Sequence, residues 1–174
     1  MGSANVGAEG ARTAARAGDV DWAGRSRATV GFAQDPLWWL AVAGGLALNA
    51  AWALLLPGAL AGSRLHGPEV WLSCVLWQPI LEEALFRGIL QRELLNVAWG
   101  RRRWRGVSVA NLLCSVAFSA LHLAHHPPLW AASVFLPSLL FGWMRERHHG
   151  IGAPIGLHAL FNLEFFGAAA LAAP

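Results

Sequence analysis

Five predominantly apolar windows, each close to the ~20 residues a helix needs to cross a hydrocarbon core of about 30 Å, take up most of this chain. They run over residues 37–61, 69–91, 107–125, 129–145 and 151–172. The connections, "GSRLHGP", "GRRRWRG", "HHPP" and "RERHHG", carry the turn formers and charges that would break a span. This pattern predicts an all-α fold, a polytopic transmembrane helix bundle of about five spans. Composition agrees: of 174 residues, 56% are hydrophobic and only 13% charged, outside the range of an ordinary soluble domain.

Residues 1–35 are rich in Ala, Gly and mixed charge with little apolar periodicity, so they read as a disordered cytoplasmic tail ahead of a transmembrane domain over 36–174. "ALA" at 59–61 resembles a signal-peptide cleavage site, but the charged leader and the apolar run are both too long for one. Arginine supplies all 13 basic residues, and the net charge of +3 is spread over several connections rather than gathered as a nucleic-acid surface would gather it. Four arginines lie in the tail, one (Arg64) after the first window, five after the second, none after the third, two after the fourth and none at the C-terminus. The positive-inside rule then places the N-terminus in the cytoplasm and the C-terminus outside. Trp38, Trp39, Trp71, Trp99, Trp104 and Trp130 fall near window ends, as interfacial anchors do; Trp52 and Trp77 fall inside, as packing residues. "GALAG" at 58–62 and "GAPIG" at 152–156 have the spacing of close helix approach. Cys74 and Cys114 sit inside apolar runs and read as small packing residues.

The polar residues inside the windows carry the functional signal. An ionised side chain near a helix centre costs ~2.5–3.5 kcal/mol on insertion scales, and "QPILEEALFRGIL" holds three: Glu82, Glu83 and Arg87. Glu83 and Arg87 are i and i+4, within pairing reach, while Glu82 is turned about 100° away and left unpaired. Phe118 and His122 share a face of the third window, and His158 and Asn162 a face of the fifth. Groups that avoid lipid converge on an interior cavity, so one site built from Glu82, Glu83, Arg87, His122, His158 and Asn162 is expected.

In order, "EEALFR", "FSALH" and "HALFN" fit EExxxR, FxxxH and HxxxN. Over roughly residues 70–170 this set resembles the three motifs of the CAAX-protease and bacteriocin-processing (CPBP, or Abi) family of glutamic intramembrane endopeptidases. The resemblance implies that Glu82 deprotonates a water, His122 holds that water, Glu83 and Arg87 fix the helix, and His158 and Asn162 donate to the oxyanion as a peptide carbonyl is attacked. It implies a membrane-associated protein or peptide substrate, with a C-terminal anchor or leader as the segment removed, and no cofactor. Family members commonly carry more spans than this chain. Its Arg-only, Ala- and Gly-rich usage points to a GC-rich bacterial genome, hence to the cytoplasmic (inner) membrane.

Rival chemistries find less support. His122, His125, His126, His158 and Glu82 offer zinc-ligand types, yet no HExxH is present and His125 and His126 fall at a window end before Pro127. Ser119 lacks glycine neighbours, and neither cysteine has the surroundings of a nucleophile. Glu164 is left over. A non-catalytic membrane interaction or immunity protein, binding a peptide with the same polar cluster, is the alternative. Measured along their windows at 1.5 Å per residue, Glu82, His158 and His122 lie ~15, ~10 and ~22 Å deep. Either the third span starts later than residue 107, or a helix is tilted or broken near the cavity.

Overall fold

The computed structural model describes residues 31–55 and 65–171 and is mostly helical. The 58–62 motif, the 59–61 "ALA", Arg64 and the tail to residue 30 lie outside the described residues. Helix α1, Pro36–Leu55, begins where chemistry favours a start. The Asp35 carboxylate accepts from the Leu37 N–H at 3.0 Å, and Pro36 takes the first helical position, where no donor is needed. Residues 31–35, assigned to the tail from sequence, do more than lead in. Phe32–Gln34 forms a 3₁₀ turn, and Phe32 packs on Trp38.

Helix α2 covers residues 68–96. Two π-helical segments, Ser73–Trp77 and Ala84–Leu90, alternate in it with the α-helical Pro68–Leu72, Gln78–Glu83 and Gln91–Asn96. A π turn widens the backbone ring and leaves carbonyls open to outside donors. Here neighbouring helices supply them: Asn162 Nδ2 donates to the Cys74 carbonyl at 2.9 Å, Cys114 Sγ to Phe86 at 2.8 Å, and Arg145 Nε to Arg87 at 3.2 Å. Irregular backbone at membrane depth is tolerated only where protein satisfies it in this way.

A short antiparallel hairpin, β1 (Arg103–Trp104) and β2 (Val107–Ser108), leads into α3, Val109–His122, whose first turn is capped by Ser108 Oγ accepting from Asn111 N at 2.9 Å. The remaining helices are α4 (Pro128–Ser133), α5 (Phe135–His148) and α6 (Gly152–Leu171).

Among the described residues, two helices are long and apolar enough to cross a membrane, Pro36–Leu54 and Gly152–Leu171. Only 17% and 28% of their apolar windows are buried, so most of that surface faces outward, as on a lipid-facing helix and unlike the core helix of a soluble protein. The windows 107–125 and 129–145 hold shorter helices. Of 14 residues each, α3 and α5 reach about 21 Å, short of a ~30 Å core. The cause is local: Ser108 caps α3 after the hairpin, the Pro127–Pro128 pair separates α3 from α4, and the chain turns at Val134 before α5. The third helix starts at Val109, two residues or about 3 Å later than the window, and α2 carries two π-helical segments without a break.

Helix α6 packs on α1, α5 and the first part of α2, and α3 packs on α5. Trp38, Phe141, Met144, Leu157 and Phe161 form the main apolar cluster, with a second around Phe86, Cys114 and Phe118. Trp38 is thus a core residue rather than an interfacial anchor, its Nε1 donating to Ala153 O at 3.2 Å, whereas Trp77, expected to pack, is exposed. Gly142 lets α5 close on α3, since a β-carbon there would overlap the Asn111 amide.

Candidate functional site

The two adjacent glutamates of α2 face different surroundings. Glu83 is fully buried and its Oε2 lies 3.2 Å from Arg87 Nε, the i,i+4 pair expected from sequence. Arg87, also fully buried, donates from NH2 to the Ser138 carbonyl at 2.8 Å and to Ser138 Oγ at 2.7 Å, and its guanidinium carbon sits 4.9 Å from the centroid of the Phe118 ring. One turn on, buried Gln91 donates to Gly142 O at 3.0 Å and to Glu146 Oε1 at 2.8 Å. Glu146 also accepts from Ser108 Oγ at 2.5 Å and pairs with Arg103. Glu83, Arg87 and Gln91 therefore form a polar ladder between α2 and α5 that ends at the hairpin. Sequence reasoning found its first two members and missed Gln91, Ser138 and Glu146, whose only sequence signal is their polarity within or next to apolar windows.

Glu82 points the other way, into a cavity of about 640 Å³. Its side chain is 31% exposed and its Oε2 lies 3.7 Å from His158 Nε2, a neighbour beyond hydrogen-bond distance. The cavity is also lined by His122, His158 and Asn162, with Gln78, Asn49 and an aromatic wall that includes Trp52, Phe118, Trp130 and Phe165. Four of the six residues expected from sequence thus share one cavity, while Glu83 and Arg87 lie behind it. Its walls come from the C-terminal parts of α1, α3 and α6, the first half of α2, and α4 with the start of α5. That is the end of the bundle opposite Arg103 and Arg147.

Hydrogen bonding fixes how each ring and amide is presented. His158 Nδ1 meets Glu83 Oε1 at 3.0 Å; a carboxylate paired with arginine accepts, so Nδ1 carries the hydrogen and Nε2 is the atom turned toward Glu82. The ring is stacked on Phe141, with centroids 4.8 Å apart. His122 Nδ1 lies 2.8 Å from the Phe118 carbonyl, which can only accept, so its Nε2 is left for other contacts. Near-parallel stacking with Trp130 and His126 holds the His122 ring from its other side. His158, His122, Glu83 and Arg87 are the ionisable groups near enough to bear on the Glu82 charge. One Asn162 amide hydrogen is taken by the Cys74 carbonyl and the second is uncommitted by that bond.

Other residues fall elsewhere. Glu164 accepts from Asn49 Nδ2 at 3.3 Å, joining α6 to α1 beside the cavity. Among the described residues, no three or more His, Cys, Asp or Glu side chains are grouped to hold a metal ion; His126 reaches the cavity and His125 does not line it. Ser119, Cys74 and Cys114 are outside the lining.

A family model described as type II CAAX prenyl endopeptidase Rce1-like matches residues 64–163, more than half of the chain and every element that lines the cavity except α1 and the end of α6. Compared with curated proteins and with solved structures, the chain has no match.

Proposed function

Because the chain belongs to the type II CAAX prenyl endopeptidase Rce1-like family, whose members are membrane-embedded peptidases, we propose that its cavity is the active site of an intramembrane glutamic endopeptidase acting on a membrane-associated protein or peptide. The observation that carries this reading is the meeting of Glu82, His122, His158 and Asn162 at one cavity, with Glu83 orienting His158 from behind.

Glu82 is the general base. A carboxylate with open access to the cavity takes a proton from water as the oxygen attacks the peptide carbonyl, and returns it to the leaving amine. The 3.7 Å between Glu82 Oε2 and His158 Nε2 is too long for a direct bond and suits a polar group held between them. His122 presents Nε2 to the same water. The second Asn162 hydrogen meets the oxyanion as charge develops, joined by His158 Nε2–H when the ring has taken up a proton from solvent before the attack and gives it back after the intermediate collapses. Glu83 and Arg87 compensate each other and hold the helix, and the chemistry needs no metal.

The five-crossing topology, with residues 1–35 as a cytoplasmic tail and the C-terminus outside, in the inner membrane of a bacterium, is part of this proposal. Contacts at one end of the bundle support it. Asp35 before α1 pairs with Arg147 at the end of α5 at 2.5 Å, Trp38 bonds Ala153 at the start of α6, and Arg103 in the hairpin after α2 pairs with Glu146. The start of α1, the end of α2, the end of α5 and the start of α6 thus share one end, as alternating crossings require. Impermeant labelling of single cysteines placed in the hairpin and at the C-terminus should report opposite sides.

The functional test compares cells making the wild-type chain with cells making Glu82→Gln, reading protein termini in membrane and secreted fractions. A processed terminus present only with wild type is expected. Purified protein should then cut a peptide of that sequence in the presence of EDTA and of serine- and thiol-directed reagents. Identical termini in both cells would overturn the protease reading in favour of a peptide-binding role, and zinc-restored loss under EDTA would overturn the glutamate mechanism.

A further inference from the structure

The hairpin joining α2 to α3 has features that the catalytic reading does not use. Arg103 pairs with Ser108 and Trp104 with Val107, leaving a two-residue turn in which Arg105 and Gly106 have φ of 48° and 88°. Positive φ at both central positions is the turn geometry that matches strand twist. The segment from 97 to 108 holds four arginines and two tryptophans and no acidic residue. Two of those arginines are tied inward. Arg101 donates to the Leu95 and Asn96 carbonyls at 3.0 and 3.2 Å, capping the end of α2. Arg103 donates to Gly106 O at 2.9 Å and pairs with Glu146, which Ser108 and Gln91 also bond. The hairpin is therefore mounted rigidly on the polar ladder.

What it presents outward is of one kind. Trp104 is 73% exposed and Trp99 45% exposed, so each turns a large part of its indole outward. Arg102 and Arg105 are exposed as well, and the Arg105 guanidinium carbon lies 4.9 Å from the Trp104 ring centroid. Exposed indole beside arginine, at the point where two helices of a membrane protein leave the hydrocarbon, matches the headgroup layer. The indole lies among the carbonyl and glycerol groups, and the guanidinium ions meet phosphate. With no carboxylate in the segment, an acidic headgroup is preferred over a zwitterionic one.

We propose that this hairpin is a binding site for acidic phospholipid headgroups, with Arg102 and Arg105 contacting phosphate and Trp104 seated at the interface, so that the lipid fixes the depth of the ladder to which the hairpin is bolted. The test uses full-length protein in neutral detergent with added phosphatidylglycerol or phosphatidylcholine of the same acyl chains, read by native mass spectrometry and by thermal unfolding. Phosphatidylglycerol should be retained and should raise the unfolding midpoint; phosphatidylcholine should do neither. Arg102→Gln combined with Arg105→Gln should weaken retention of phosphatidylglycerol about twenty-five-fold, at roughly five-fold for each basic residue near the surface. Trp104→Ala should reduce it further. Neither exposed arginine holds a helix end, so folding of the double variant, checked by circular dichroism, should match wild type. In the wild-type protein, raising salt from 0.1 to 1 M should itself release the lipid, a readout that needs no variant. Equal retention of the two lipids, salt-insensitive binding, or full retention by the double variant would overturn the proposal. So would displacement by millimolar inorganic phosphate at constant ionic strength, which would mark a phosphate site indifferent to lipid.

Discussion

The two ends of this bundle are built on opposite rules, and the boundary between them falls between neighbouring residues. Toward the hairpin, Glu83, Arg87, Gln91 and Glu146 are buried and bonded to one another and to α5. Toward the cavity, Glu82 is partly exposed, and His122, His158 and Asn162 each spend one polar atom on the protein while lining open space. The same residue type therefore does two jobs one position apart. A carboxylate paired inside the protein can hold helices together, and one that faces open space can bind and change something else.

The largest effect should separate those jobs. Glu82→Gln is expected to lower the cleavage rate by about 10²–10⁴, the range for loss of a general base, while leaving the unfolding midpoint in detergent near wild type; the residual rate should lose the limb of its pH profile due to that carboxylate. Glu83→Gln should act on the fold, since half of a buried pair left alone costs about 3–5 kcal/mol, seen as lower yield and midpoint. Equal destabilisation by both substitutions would break the comparison.

Asn162 sits on the boundary, because it serves both the Cys74 carbonyl and the cavity. Asn162→Ala should reduce the bound-state rate by about 10²–10³ for a lost oxyanion donor, with substrate affinity nearly unchanged. It should also lower stability by about 1 kcal/mol for the stranded carbonyl. Weakened affinity with an intact bound-state rate would instead make Asn162 a residue that holds substrate.

The smallest effect lies at the closed end. The Arg147 guanidinium bonded to Asp35 holds that carboxyl below its ordinary value against the opposing effect of burial, with help from the Leu37 N–H and His148. A depressed carboxyl adds stability that is fully present above the ordinary value of ~3.9 and is lost as pH falls through the lower folded one. Unfolding midpoints measured from pH 7 to about 3 should show an acid limb that is shallower in Asp35→Asn, which should also be modestly less stable at pH 7.

Much of the cavity side was legible in the sequence because its signals are local. Residues four apart on an apolar helix share a face, and the polar members of two such sets, with Glu82 from a third window, have one place to go. The Glu83–Arg87 pair was legible for the same reason. The π segments were not, since one inserted residue scarcely changes an apolar pattern while it rotates everything beyond it. Nor was the rest of the ladder: Gln91 and Glu146 are 55 positions apart, and nothing in either window names the other. The hairpin was read as a charged break because Arg and Gly dominate it, and strands of two residues leave no alternation to detect.

The ladder also dictates an order of assembly. Beyond the Glu83–Arg87 pair, the inward polar groups of α2 find their hydrogen-bond partners later in the chain: Ser138, Gly142 and Glu146 on α5, and His158 on α6. While the ribosome has delivered α2 alone, Glu82 opposes its entry into lipid by ~2.5–3.5 kcal/mol, the Glu83–Arg87 pair adds a smaller, partly compensated cost, and the two π turns have no outside donors for their carbonyls. The helix is therefore expected to wait at the insertion machinery or at the membrane surface until residues beyond 138 emerge. A nascent chain halted before Ser138 should remain extractable by alkali, and one extended past His158 should not.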